Sequence, residues 1–117
     1  MKHLKTFENI NKKDIDVGDY LVWHDYEIDN GNIIKYDDEY EILKVIHIQD
    51  VYGGTRYLVN TIYRLNSSDN KLKFINSNVD QYINENELDY CITFVSKNIE
   101  ECKTKIIMLN NINKYNL

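Results

Sequence analysis

From Tyr20 to Asp29 the chain reads Tyr-Leu-Val-Trp-His-Asp-Tyr-Glu-Ile-Asp, and Asn30-Gly31 closes the run. A period of two sends successive side chains to opposite faces of an extended strand. Asn-Gly supplies the two positive-φ positions that a two-residue type I′ turn requires. The segment is therefore expected to form the first half of an antiparallel hairpin. On this reading Tyr20, Val22, His24, Tyr26 and Ile28 face the core, while Leu21, Trp23, Asp25, Glu27 and Asp29 face outward.

The rest of the chain extends the pattern. A return strand covers Asn32 to about Tyr36, and Asp37-Asp38 marks a break or bulge. Tyr40 to Gln49 is apolar on both faces, with Ile42, Ile46 and Ile48 on one and Leu43 and Val45 on the other, so it is expected to be the most buried strand. Gly53-Gly54 forms a second hairpin. Thr55 to Leu65 then alternates with Tyr57, Val59, Tyr63 and Leu65 inward, and a turn over residues 66–70 leads to a short strand Lys71–Ile75. Residues 77–89 suggest a short helical turn through Val79, Tyr82, Ile83 and Leu88, followed by a last strand Tyr90–Val95. Asn98, with Glu101 three residues on, opens a helix to Asn111. Its apolar stripe is Ile99, Cys102, Ile106 and Leu109. Ahead of the sheet, Leu4, Phe7, Ile10 and Ile15 are placed to tuck beneath it.

The expected architecture is a single domain over residues 1–117, mainly β (α+β), with five or six antiparallel strands and one C-terminal amphipathic helix. Val17-Gly18-Asp19-Tyr20 and the strand-dense stretch 15–65 resemble SH3-like small barrels, which implies a partly closed barrel. A fold resemblance of this kind carries no activity with it.

Composition limits the class. The chain has no Pro and no Ala but sixteen Ile, sixteen Asn, twelve Lys and ten Tyr. The lack of Ala and the wealth of Ile and Tyr favour strands, and the codons involved point to an A- and T-rich genome such as that of a low-GC bacterium or its phage. No run approaches the roughly 18 apolar residues of a membrane span. The N-terminal residues lack an apolar signal-peptide core, so a cytoplasmic protein is expected. There the sequon Asn66-Ser67-Ser68 is inert, and Cys91 and Cys102 are expected reduced and at least partly buried.

Catalytic signatures are lacking. His3, His24, His47, Cys91 and Cys102 show no zinc-ligand spacing, and the Asp25–Asp29 run does not fit a calcium loop. Neither cysteine has an activating neighbour in sequence, and the only glycine pair belongs to a hairpin. The expectation is a non-enzymatic protein with neither cofactor nor metal.

Charge is the feature that speaks to partners. Residues 14–41 contain ten acids and one base, Lys35, for a net −9 within a chain of −5. Such a one-signed field steers basic partners and repels nucleic acid. Asp25, Glu27 and Asp29, alternating along one strand, place carboxylates roughly 6.5–7 Å apart, a spacing that nucleic-acid phosphates share. Trp23 would anchor that row, and Asp37, Asp38, Glu39 and Glu41 would extend it. The sequence therefore predicts an acidic binding module that engages a basic protein, such as a host nucleic-acid-handling enzyme. Its sharpest form is a phage-encoded inhibitor of the anti-CRISPR or anti-restriction kind, a nucleic-acid mimic. The alternative is an SH3-like adaptor that binds nucleic acid or a peptide through Tyr57, Tyr63, Arg56 and Arg64.

Overall fold

A computed structural model describes residues 14–66, 69–77 and 79–115, apart from the side chains of residues 33, 35–38 and 112–115. Leu4, Phe7 and Ile10, and two residues of the sequon, lie outside it. The elements are β1 (Tyr20–Asp29), β2 (Asn32–Val51), β3 (Gly54–Asn66), β4 (Lys71–Phe74), β5 (Gln81–Asn84), α1 (Glu85–Cys91), β6 (Ile92–Ser96) and α2 (Ile99–Tyr115). The strands form one antiparallel sheet in the order β4-β3-β2-β1-β6, with β5 paired to the far end of β3. A straight strand as long as β2 would span about 66 Å, whereas the longest dimension of the molecule is 42 Å. The sheet is accordingly curled into a half-barrel.

Both hairpins form where the glycines direct. Asn30 and Gly31 adopt φ of 51° and 82°, and Gly53 and Gly54 adopt 99° and 144°. Gly54 has a second constraint, because a Cβ there would stand 2.9 Å from Glu85 Oε1, the atom that accepts the Thr55 N–H. Gly54→Ala is expected to cost about 1–3 kcal/mol through backbone strain, together with displacement of that carboxylate; urea denaturation of the pair measures it.

The curl gives the sheet a core on each face. On one face Leu21, Leu43, Val45, Tyr57 and Val59 meet Ile15, Ile83, Leu88 and Ile92, with Trp23, Ile48 and Val95 packed alongside. On the other, Val22, Tyr40, Ile42 and Leu65 meet Cys102 and Ile106 of α2, flanked by Ile99 and Leu109. The expected helical stripe is thus the packed one. Leu21, expected outward, is fully buried, because β5 and α1 cover a face that alternation alone assigns to solvent.

Register shifts explain the other departures. Between Val45 and His47 the β2–β3 pairing slips, so Ile46 turns to solvent and Ile48 joins the face of Val45. A slip between Thr61 and Tyr63 likewise moves β3 from the first core, at Tyr57 and Val59, to the second, at Leu65. Residues 77–89 contain a strand, β5, as well as a helix, and Tyr90 and Cys91 belong to that helix rather than to the last strand. The reciprocal cap expected at Asn98 lies instead at Asn84, whose N–H donates to Glu87 Oε1 at 3.1 Å. Asn98 still caps α2, its side-chain oxygen accepting the Glu100 N–H at 2.9 Å, while Glu101 accepts the Ser96 hydroxyl.

The Gly-Asp turn locks the start of β1. Gly18 N–H donates to the Val45 carbonyl at 2.8 Å. The buried Asp19 carboxylate accepts the Asp16 N–H at 2.9 Å and the Lys97 ammonium at 2.8 Å, tying this turn to the β6–α2 junction. Lys97 also donates to the Asp16 carboxylate at 3.2 Å, and its bonds to Asp19 and then Asp16 raise its pKa. Among the described residues no helix is long and apolar enough to cross a membrane.

Candidate partner-binding site

The first hairpin is not one uniform ladder. His24 pairs with Tyr40 but Tyr26 pairs with Lys35, so residues 36–39 stand opposite Asp25 alone. This is the irregularity expected at Asp37-Asp38, and it has a strong effect on β1. An unequal count across a pair rotates the side chains beyond it. Trp23 and Tyr26 consequently share a side, their rings 6.1 Å apart, while His24 lies on the opposite face, stacked on Tyr40 at 4.3 Å.

Beyond the bulge, residues 26–35 form a two-stranded ribbon. β6 pairs with β1 only over Tyr20–Trp23, and β3 pairs with β2 only over Glu41–Val51. Among the described residues no other strand flanks the ribbon, which therefore projects as an arm. Its root is packed. Tyr26 meets Tyr90 edge-on at 5.1 Å, and its hydroxyl donates to Glu87 at 3.1 Å. Burial, then the Tyr90 and Glu87 hydrogen bonds, raise the Tyr26 pKa. Its tip is bare. Ile28, expected in the core, is 60% exposed, and Ile34 is 42% exposed. Glu27, Asp29 and Asn32 are exposed as well.

The expected acidic row is divided by this geometry. Glu27 and Asp29 remain on one face of the arm, with Ile34 cross-strand from Glu27. Trp23 is not an exposed anchor; it is half-buried against the first core, since the face it occupies is the one that β5 and α1 cover. Asp25 is half-buried at the bulge, its Oδ1 accepting the Tyr26 N–H at 3.1 Å. Together with Glu39 and Glu41 it lines a cleft of about 520 Å³ at the arm's root. Asp37 and Asp38 lie in the bulged stretch of β2, and their side chains are outside the described ones.

The cleft also gathers bases that the sequence placed elsewhere. Arg64 Nε bonds Glu41 at 2.7 Å across β2–β3, and Lys73, paired to Asp69 at 3.2 Å, lines the far wall. Only strand register brings Arg64, Lys73 and Glu41 together, and no short motif carries that information. A smaller cavity of about 250 Å³ adjoins Trp23, Glu41 and Glu87. Among the described residues no group of three or more His, Cys, Asp or Glu is arranged to hold a metal ion.

The residues of the alternative surface are dispersed. Tyr57 is 2% exposed and belongs to the core. Tyr63 sits between Phe74, at 5.4 Å, and the Lys103 ammonium, at 4.3 Å. Arg56 lies 4.1 Å over the ring of Tyr82, which the sequence assigned to a helical turn and which stands instead in β5. Comparison with protein-family models, with curated proteins and with solved structures gives no match.

Proposed function

We propose that the protein is an acidic, non-enzymatic binding module whose projecting β1–β2 arm engages a basic groove on a partner protein. The observation that carries this reading is the arm's tip. Ile28 and Ile34 are exposed on a ribbon whose described side chains join neither core, Ile34 on the face of Glu27 and Asp29 and Ile28 on the other. A two-stranded ribbon has little stability of its own in water, and apolar side chains held out on it within an acidic rim have the composition of an interface. The −9 charge of residues 14–41 steers the arm toward basic surfaces. A groove that normally holds nucleic acid offers the matching charge, so the finer reading is an inhibitor that competes with nucleic acid for a host protein.

The test is binding of the purified module to a partner captured from host lysate, at low and high salt, followed by competition with duplex DNA. The expected result is an affinity that falls with salt and a partner that DNA displaces. Glu27→Gln with Asp29→Asn should slow association, since charge steering acts on the on-rate. Ile28→Ser should speed dissociation, by about 1 kcal/mol or more. Unchanged binding by the charge variant at low salt would leave the arm's acids as a solvated surface.

A second reading has one observation in its favour. Lys71, Lys73 and Phe74 of β4 are exposed, and with the Arg56–Tyr82 stack they offer basic and aromatic groups of the kind that bind single strands. Saturable binding of a single-stranded oligonucleotide by the isolated protein, lost in Phe74→Ala, would favour it over the arm.

A further inference from the structure

The strands that flank the half-barrel stop short of the arm. The β6 ladder ends at Trp23 and the β3 ladder at Glu41, and residues 36–39 of β2 then stand opposite Asp25 alone. So unequal a count leaves the extra residues outside the ladder and bends the strand that carries them. Tyr26 reaches across this joint. Its ring lies 6.1 Å from that of Trp23, on the half-barrel side, and meets Tyr90 edge-on at 5.1 Å. Its hydroxyl donates to Glu87 Oε2 at 3.1 Å.

The acceptor is itself held in place. The other oxygen of Glu87, Oε1, takes the Asn84 N–H at 3.1 Å and closes the cap of α1. In the same turn, Glu85 Oε1 takes the Thr55 N–H at 3.2 Å and ties α1 to the start of β3. Leu88 and Cys91 are the buried residues of the helix, and Leu88 belongs to the first core. A carboxylate with one oxygen fixed by a backbone N–H presents the other in a set direction. Glu87 is therefore a positioned acceptor, mounted on an element that is anchored at two further points.

We infer that this seat sets the direction in which the arm projects: Tyr26 is a positioning residue, held by Glu87 and Tyr90, that couples the ribbon to the half-barrel across the bulge. A two-stranded ribbon has little order of its own in water, so its direction depends on what its root is fastened to. The fastening is a ring contact together with a hydrogen bond to a carboxylate, the stronger, charge-assisted kind. Burial, then the Tyr90 and Glu87 hydrogen bonds, raise the Tyr26 pKa, so the hydroxyl keeps the proton it donates. For its use the seat rests on the docking reading. An arm held in one direction meets a groove without first being ordered, and less of the binding free energy is lost to ordering it.

The test is a set of residual dipolar couplings measured on the partly aligned full chain. The backbone amides of residues 27–34 are compared with those of β1, β2 and β3 outside the arm. In the wild type, the arm's couplings should fit the alignment of the half-barrel. In Tyr26→Phe, which keeps a ring against Tyr90 and loses only the hydroxyl, they should shrink and depart from that fit while the half-barrel keeps its own. Tyr26→Leu, which loses the ring as well, should show the larger loss. An arm that keeps the wild-type fit in both variants has its direction set elsewhere, and the assignment is overturned. Couplings lost across the half-barrel along with the arm would make Tyr26 a stability residue rather than a positioning one, and would overturn it too. No partner is present in the measurement, so the seat can fail while the arm still binds, and docking can fail with the seat intact.

Discussion

Ile106→Ala is expected to destabilise the protein by about 2–5 kcal/mol, a large share of the roughly 5–15 kcal/mol that holds a typical domain folded. Among the described residues of α2, Ile106 and Cys102 are the fully buried ones that pack on the sheet, against Val22, Tyr40, Ile42 and Leu65. Truncating Ile106 opens a cavity between two elements that have limited freedom to close over it. Its neighbour Ile107 is 54% exposed, so Ile107→Ala should stay within about 0.5 kcal/mol. Urea denaturation of the two variants beside the wild type measures the difference. Equal effects would mean that this stripe does not attach the helix.

Alkaline pH is expected to remove stability through the same contact. The Cys102 thiol donates to the Tyr20 carbonyl at 3.9 Å. Burial, and secondarily the charge of Glu101, push its pKa up from the ordinary 9.0 to about 12. A pKa that is higher in the folded than in the unfolded chain gives stability that is fully present below pH 9.0 and is lost as pH rises toward about 12. Tyr26 and Tyr57, both raised chiefly by burial, and Lys97, raised by Asp19 and Asp16, add losses of the same sign above their own ordinary values. Denaturation at about pH 8 and about pH 11 should therefore show a steeper decline for the wild type than for Cys102→Ala. Parallel declines would show that the thiol does not titrate with folding.

The elements that could be read from sequence are those whose signal is local. The two glycine hairpins, the gap at Asp37-Asp38 and the stripe Ile99, Cys102, Ile106, Leu109 each rest on a few adjacent residues, and each appears in the fold. What could not be read depends on what lies across a strand. Leu21 and Trp23 look outward by alternation, yet β5 and α1 arrive from sixty residues downstream to cover them. Ile28 looks inward, yet it lies in the ribbon beyond the strands that flank the rest of the hairpin, and it is exposed there. The short strand β5 was hidden because Gln81 and Asn84 dilute its apolar signal. At the candidate site, the outward placement of Glu27 and Asp29 was legible from alternation and charge, and both are exposed. The meeting of Glu41 with Arg64 and Lys73 follows from slips in register that no single-strand pattern records.

Those slips make β2 three short strands laid end to end, each with its own inside and outside. The arm is accordingly phased separately from the barrel, and the bulge at Asp25 acts as the joint between two independent sequence frames. Among the described side chains of residues 26–35, none belongs to either core, and Tyr26 is seated on α1. Substitutions at Glu27, Ile28, Asp29 and Ile34, all exposed, are therefore expected to leave both cores as they are.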